Sequence, residues 1–188
     1  MTQPDAFFLS PRPQLQRLRA ARPNSASQRP RVFARICGMA TLCTLVACQH
    51  QMIPNTDVLD SPENREVVSF VEQYRKAVEA RDVVVLLSLV SPRYYDDNGT
   101  PSAEDDMDFG KLREQLLAWQ QTVEDVRYEI RYRRIQFQQD KVLVDYTYTG
   151  SFKLKVTDAS RWARRLADNR LVLRRAPGDD HFRILSGM

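Results

Sequence analysis

Apolar side chains recur at three- and four-residue spacing through Val67, Phe70, Val71, Tyr74, Ala77 and Val78, which predicts an amphipathic helix of about five turns. Asp60-Ser61-Pro62-Glu63 supplies its start, with a cap residue, a first-turn proline and a first-turn acid. Asp82 then precedes a second apolar run, 83–90, closed by Ser91-Pro92. Propensity alone would make Val83-Val84-Val85 a strand, but the cap and the short connection favour a helix. Residues 93–108 read as an acidic loop with an Asn98-Gly99 turn, and Phe109, Leu112, Leu116, Trp119 and Val123 line one face of a third helix.

After that helix the period changes to two. Val126, Tyr128, Ile130 and Tyr132 alternate with Arg127, Glu129, Arg131 and Arg133, the signature of a half-buried strand. The phase slips at Arg133-Arg134 before Ile135 and Phe137, which predicts a bulge. Val142, Val144, Tyr146 and Tyr148 share the next face. Gly150 interrupts that run before Phe152, Leu154 and Val156, as a bend in a curved sheet would. Trp162 to Arg175 contains a further strand ending in Leu171-Val172-Leu173, Pro177-Gly178-Asp179-Asp180 turns the chain, and Phe182 and Ile184 mark the last strand.

Upstream of all this the pattern is different. Residues 1–31 are rich in Pro, Arg, Gln and Ser without apolar periodicity, a disordered composition. Arg29, Arg31 and Arg35 then precede an uncharged stretch from Ile36 to Ala47, the layout of a secretory signal. Twelve helical residues span about 18 Å, too short for the ~30 Å hydrocarbon core of a bilayer. A buried core helix is the alternative, weakened by the change to Gln49-His50-Gln51. Leu45-Val46-Ala47-Cys48 resembles the lipobox of bacterial lipoproteins, a resemblance that implies acylation of Cys48 as the first mature residue. The alternative is an unmodified Cys48 after an ordinary cleavage site. With Cys37 and Cys43 leaving in the signal and Cys48 acylated, no thiol of the chain's three would remain free. Two or more acyl chains hold a protein stably at a membrane. The long stretch before Arg29 is compatible with initiation at Val32, which would leave a leader of ordinary length. Gln49, which is not Asp, implies passage to the outer membrane, facing the periplasm.

Composition sharpens this division. Of 28 basic and 24 acidic residues, seven and one lie in 1–47, so 21 and 23 remain for the body and the basic balance is confined to the leader. Nucleic acid is therefore not expected as a partner. The chain divides into a disordered leader plus signal over 1–47, a polar lipidated tether over 48–61, and one domain over 62–188. That domain is α+β: three N-terminal helices packed in a strongly bent antiparallel sheet of about four strands. The element order, Glu79-Ala80-Arg81-Asp82 between the first helices, and the ending Phe182-Arg183-Ile184-Leu185-Ser186-Gly187-Met188 resemble the nuclear transport factor 2-like superfamily, whose sheet forms a cone around its helices.

That superfamily contains isomerases and dehydratases alongside members that only bind, so the fold does not decide the activity. His181 and Asp145 are out of phase with the buried rows, and His50 lies in the tether, so no acid–base pair is nominated. Tyr94 and Tyr95 are expected at the rim of a cavity, with Trp119, Tyr132 and Tyr146 on its wall. The acidic loop lacks the ligand spacing of a calcium site, and no metal or cofactor is expected. Arg161, Arg164, Arg165, Arg170, Arg174 and Arg175 read as a solvated face paired with acids, or alternatively as a surface for anionic headgroups. The leading expectation is an envelope-anchored lipoprotein whose cone binds a partner protein or small apolar ligand without catalysis; a homodimer is a further possibility. The alternative is an isomerase or dehydratase acting in the cone. An acid buried beside Tyr132 or Tyr146 would favour the enzyme, and a cone filled by Trp119, Phe109 and tyrosine rings would favour docking.

Overall fold

The computed structural model describes residues 51–156, 159–175 and 181–188. Among the described residues three helices precede a sheet of four strands: α1 Pro62–Ala80, α2 Val83–Leu89, α3 Phe109–Thr122, β3 Val123–Phe137, β4 Val142–Val156, β5 Ala159–Arg175 and β6 Phe182–Ser186. The 93–108 segment, expected as plain loop, carries a minimal hairpin of β1 Tyr95–Asp96 and β2 Met107–Asp108. The long strands pair antiparallel in the order β3-β4-β5-β6. None of the described helices is long and apolar enough to cross a membrane. The leader, Cys48, His50 and the 177–180 turn lie outside the described residues.

Local signals and structure agree at the helix starts. Ser61 Oγ accepts from Asn64 N at 3.2 Å with Pro62 in the first turn. Asp82 accepts from Val85 N at 3.0 Å, so the cap overrides the strand preference of three successive valines. Asp108 holds Lys111 N at 2.8 Å and starts α3. The register shift between Tyr132 and Arg134 is the expected bulge. Gly150, by contrast, does not interrupt β4, which runs unbroken from Val142 to Val156. A Cβ there would lie 2.5 Å from the Phe152 ring, so the glycine makes room for that ring.

The core lies between the helices and one face of the sheet. Val67, Val71, Tyr74 and Val78 of α1, Leu112, Leu116 and Trp119 of α3, and Tyr128, Val144, Tyr146, Leu171 and Ile184 of the sheet are all buried. Each sheet edge is covered in part, and β6 pairs with β5 only over Val172–Arg175. At β3, Arg75 Nη1 donates to Tyr128 O (3.2 Å), Tyr128 N donates to Glu79 (3.2 Å), Asp57 N donates to Tyr132 O (3.0 Å), and Arg81 donates to Val123 O. At β6, Ser91 N donates to Ile184 O at 2.9 Å and Val90 bridges Ile184. Unpaired edge groups template aggregation, and here side chains and a backbone strap occupy several of them.

That strap is the segment 51–61, read from its polar composition as tether. Its described part is folded. Met52 bridges Leu59, Ile53 N donates to Val58 O at 2.9 Å, and Val58 is buried in the core. Asp57 is held by Arg131 (3.0 Å) and Arg133 (2.9 Å), contacts that local sequence does not reveal.

Candidate functional site

The interior is where a ligand of this fold would be sought, and it is occupied by aromatic rings. Tyr74 meets Tyr128 edge-on at 6.4 Å, Tyr128 lies 5.2 Å from Tyr148, and Tyr148 lies 6.3 Å from Tyr146. Asn169 Nδ2 donates to Tyr146 Oη at 2.9 Å. Burial holds the Tyr74 and Tyr128 phenols neutral far above the ordinary tyrosine range. The same cause, reinforced by Glu72, raises Tyr132, whose hydroxyl donates to Glu72 at 2.7 Å. Glu72 is tied in turn to Arg75 at 2.7 Å, and Arg75 to Glu79 at 2.7 Å, so this carboxylate belongs to an ion-paired ridge along α1.

A second polar cluster closes the far end. Asp96, buried on the β1 strand, accepts from Gly187 N (2.8 Å), Asn98 N (3.1 Å) and Tyr94 Oη (3.4 Å). Tyr94 Oη also accepts from Met188 N at 3.2 Å, and Asn169 Nδ2 donates to Gly187 O at 3.0 Å. Asp96 holds Gly187 directly and Met188 through Tyr94, which makes it a clamp on residues 187–188.

The outer face of the sheet is open. Two contiguous hollows of about 310 and 220 Å³ run across it and share Glu129 and Thr149. Arg127, Arg131 and Arg133 of β3 and Arg164 of β5 line them, with Thr147, Thr149 and Ser151 along β4. Leu166 stands 70% exposed beside Thr149, its register partner, and Trp162 is 44% exposed under the Arg127 guanidinium, 5.2 Å from its ring.

The sequence-derived site residues separate on the structure. Tyr94 is buried within the Asp96 cluster, whereas Tyr95 is 55% exposed and bonds Asp106. Trp119, Tyr132 and Tyr146 are buried in the core, and only Tyr132 and Tyr146 are paired across strands. Asp145 lies on the outer face as its phase implied, between Arg170 (2.6 Å) and Arg134 (3.2 Å). Three further acids of the 93–108 loop are spent locally. Asp105 takes Thr100 Oγ1 at 2.8 Å, Asp97 takes Gly99 N at 3.0 Å, and Asp108 caps α3. The arginine-rich segment is not one face. Arg164, Arg170 and Arg174 alternate with Arg161, Arg165 and Arg175, and three of the six pair with Asp145, Asp140 and Glu66. Sequence reading missed Trp162 and Leu166, although they share the phase of Arg164. It also missed Glu72, whose i, i+3, i+7 relation to Arg75 and Glu79 marked a charged ridge.

No protein-family model matches the chain, and no curated protein is significantly similar to it. Solved structures are similar. A ketosteroid isomerase-like protein from Erwinia carotovora atroseptica superposes with a TM-score of 0.53 at 18% identity, covering 68% of this chain and 95% of that one. A conserved protein from Planctomyces limnophilus gives 0.56 at 12% identity, covering 66% and 92%. A nuclear transport factor 2-like superfamily protein from Salmonella enterica serovar Typhimurium gives 0.52 at 10%, covering 65% and 86%. At these identities the likeness is one of fold: the domain is an α+β fold of the nuclear transport factor 2-like type.

Proposed function

We propose that this chain is a bacterial envelope lipoprotein, acylated at Cys48 and facing the periplasm from the outer membrane, whose domain docks a partner protein on the outer face of its sheet without catalysis. The observation that carries the docking half is the packed interior: Tyr74, Tyr128 and Tyr146 are each 1% exposed and Leu112 and Leu116 not at all. With the interior filled, the outer face of the sheet is the surface that offers preformed hollows. Of its four hollow-lining arginines, Asp57 already holds Arg131 and Arg133, so Arg127 and Arg164 beside Glu129 are the cations for carboxylates of the fitting partner, around an apolar contact for Leu166 and Trp162. Arg and Trp are also the residues that most often dominate binding energy.

Two experiments test this. Labelled palmitate should enter the wild-type chain and not Cys48→Ser; equal labelling sinks the anchor. Leu166→Asp and Arg164→Glu should each abolish recovery of the same co-purifying protein while leaving the thermal midpoint unchanged. A partner retained by both variants sinks the docking face. Self-association broken by the same two variants would replace the foreign partner with a second copy of this chain.

One observation favours the isomerase or dehydratase reading: a carboxylate, Glu72, lies 2.7 Å from the Tyr132 hydroxyl. The likeness to an isomerase-like structure points the same way. Turnover of an unsaturated ketone or a hydroxy ketone, lost in both Glu72→Gln and Tyr132→Phe, would establish it.

A further inference from the structure

The described part of the strap ends close to the residue that carries the anchor. Gln51 O accepts from Asp60 N at 2.7 Å, so the chain is already fixed to the domain at residue 51. Three residue steps separate Cys48 from Gln51, a reach of about 10 Å at full extension. An acylated cysteine sits at the boundary of headgroups and acyl chains, and interfacial groups bury about 5–10 Å into that zone. Met52 and Leu59 are cross-strand partners in the bridge, so their side chains share a face. They are 47% and 45% exposed, an apolar pair next to the anchor point. The strap's two acids present no bare charge to an anionic surface. Asp57 is paired with Arg131 and Arg133, and Asp60 with Arg65.

We infer that Met52 and Leu59 form a bilayer-contact patch, which holds the domain against the lipid headgroups at its strap end instead of letting it swing on a tether. This rests on the acylation of Cys48 proposed above. The occupant is the lipid surface that carries the anchor, because the short reach from Cys48 keeps that surface within contact of residue 52. The bridge, the Asp57 ion pairs and buried Val58 make the strap rigid enough to set an orientation.

The test uses the full chain with one added cysteine at a time: Met52→Cys, Leu59→Cys, or Val84→Cys as a control. Val84 is 79% exposed on α2, which packs against β6, whereas the strap bonds to β3 at the other end of the strand order. The processed, acylated chains are labelled with a fluorescent maleimide and reconstituted into vesicles of phosphatidylethanolamine and phosphatidylglycerol. Accessibility is then read with a water-soluble quencher. Vesicles should cause loss of quenching at residues 52 and 59 and none at residue 84; either strap variant alone suffices if the other misfolds. Full quenching at residues 52 and 59 in palmitate-labelled, vesicle-bound protein overturns the patch alone. Absence of palmitate from the wild-type chain overturns the anchor reading and the patch with it.

Discussion

Gly187→Ala is expected to be among the most damaging single substitutions outside the aromatic core. Gly187 has φ +98°, and an added Cβ would lie 1.9 Å from Arg170 O and 3.0 Å from Leu171 Cα. Those are backbone atoms of β5, held in the sheet, so residues 186–188 must move instead. A positive φ costs an alanine roughly 1–2 kcal/mol. Displacement also breaks the Gly187 N bond to Asp96, the Asn169 bond to Gly187 O and the Met188 N bond to Tyr94. A bond to a carboxylate is worth about 1.5–3 kcal/mol and each neutral one about 1. Allowing for partial recovery by water, the loss is about 4 kcal/mol, a large share of the ~5–15 kcal/mol typical of a domain. Urea denaturation followed by far-UV circular dichroism should show the midpoint falling by about 2 M, using a slope near 2 kcal/mol/M. Asp96→Asn should be additive with it only in part, because Gly187→Ala already forfeits their shared bond. A midpoint within about 0.5 M of wild type, or full additivity, refutes the clamp.

Gly150→Ala places a Cβ 2.5 Å from the buried Phe152 ring and should lower stability by about 1–2 kcal/mol through overpacking. The same urea assay should show that loss shrinking in a Phe152→Leu background. The pH profile of stability should be flat at neutral pH and fall at both ends. Asp57 is held below the usual carboxylate range by Arg133 and then Arg131, Asp60 by Arg65, and Glu124 by Ser160 and then Lys153. The unfolded chain therefore takes up protons first, near pH ~4. Their contribution, small because they are exposed, is present above that range and lost as pH drops through the depressed folded values. Tyr74, Tyr128 and Tyr132 are raised by burial, so the unfolded chain loses protons first, near pH ~10, and stability drops above it. Tyrosinate absorbance from these three should appear only together with loss of circular dichroism.

What the sequence disclosed was whatever local pattern determines. Asp82 capping Val83–Leu89, the bulge beside Arg133 and the alternation of β3 all depend on neighbours within a few residues. The hidden parts depend on distant ones. The strap is ordered by Asp57 reaching Arg131 and Arg133, more than seventy residues onward. Asp96 acquires its role from Gly187, ninety-one residues away. β5 was legible as a strand within Trp162–Arg175, but apolar pattern marked only its end, Leu171-Val172-Leu173. Its earlier helix-side positions are Arg161, Ala163, Arg165, Ala167 and Asn169, which present no apolar alternation although Ala159–Arg175 is one strand. Tyr94 was misplaced for a similar reason: nothing local distinguishes it from exposed Tyr95.

Magnitudes also decide between an interior and an exterior site. A small-molecule cavity of this kind occupies at least ~300 Å³. Making one inside this domain requires moving at least two rings of the Tyr74, Tyr128, Tyr146 and Tyr148 group out of contact. Removing a buried aromatic ring costs about 3–5 kcal/mol, so two cost about 6–10, comparable with the whole stability of a domain. A ligand bound at about 1 μM supplies about 8 kcal/mol in total, and opening the interior would consume nearly all of it. The outer face carries no such penalty, because Leu166 and Trp162 are already exposed and the hollows between the arginines already exist. Association there gains the burial of two apolar side chains and the neutralisation of arginines without disturbing the core. The energetic balance therefore favours the proposed exterior docking over a ligand site inside the domain.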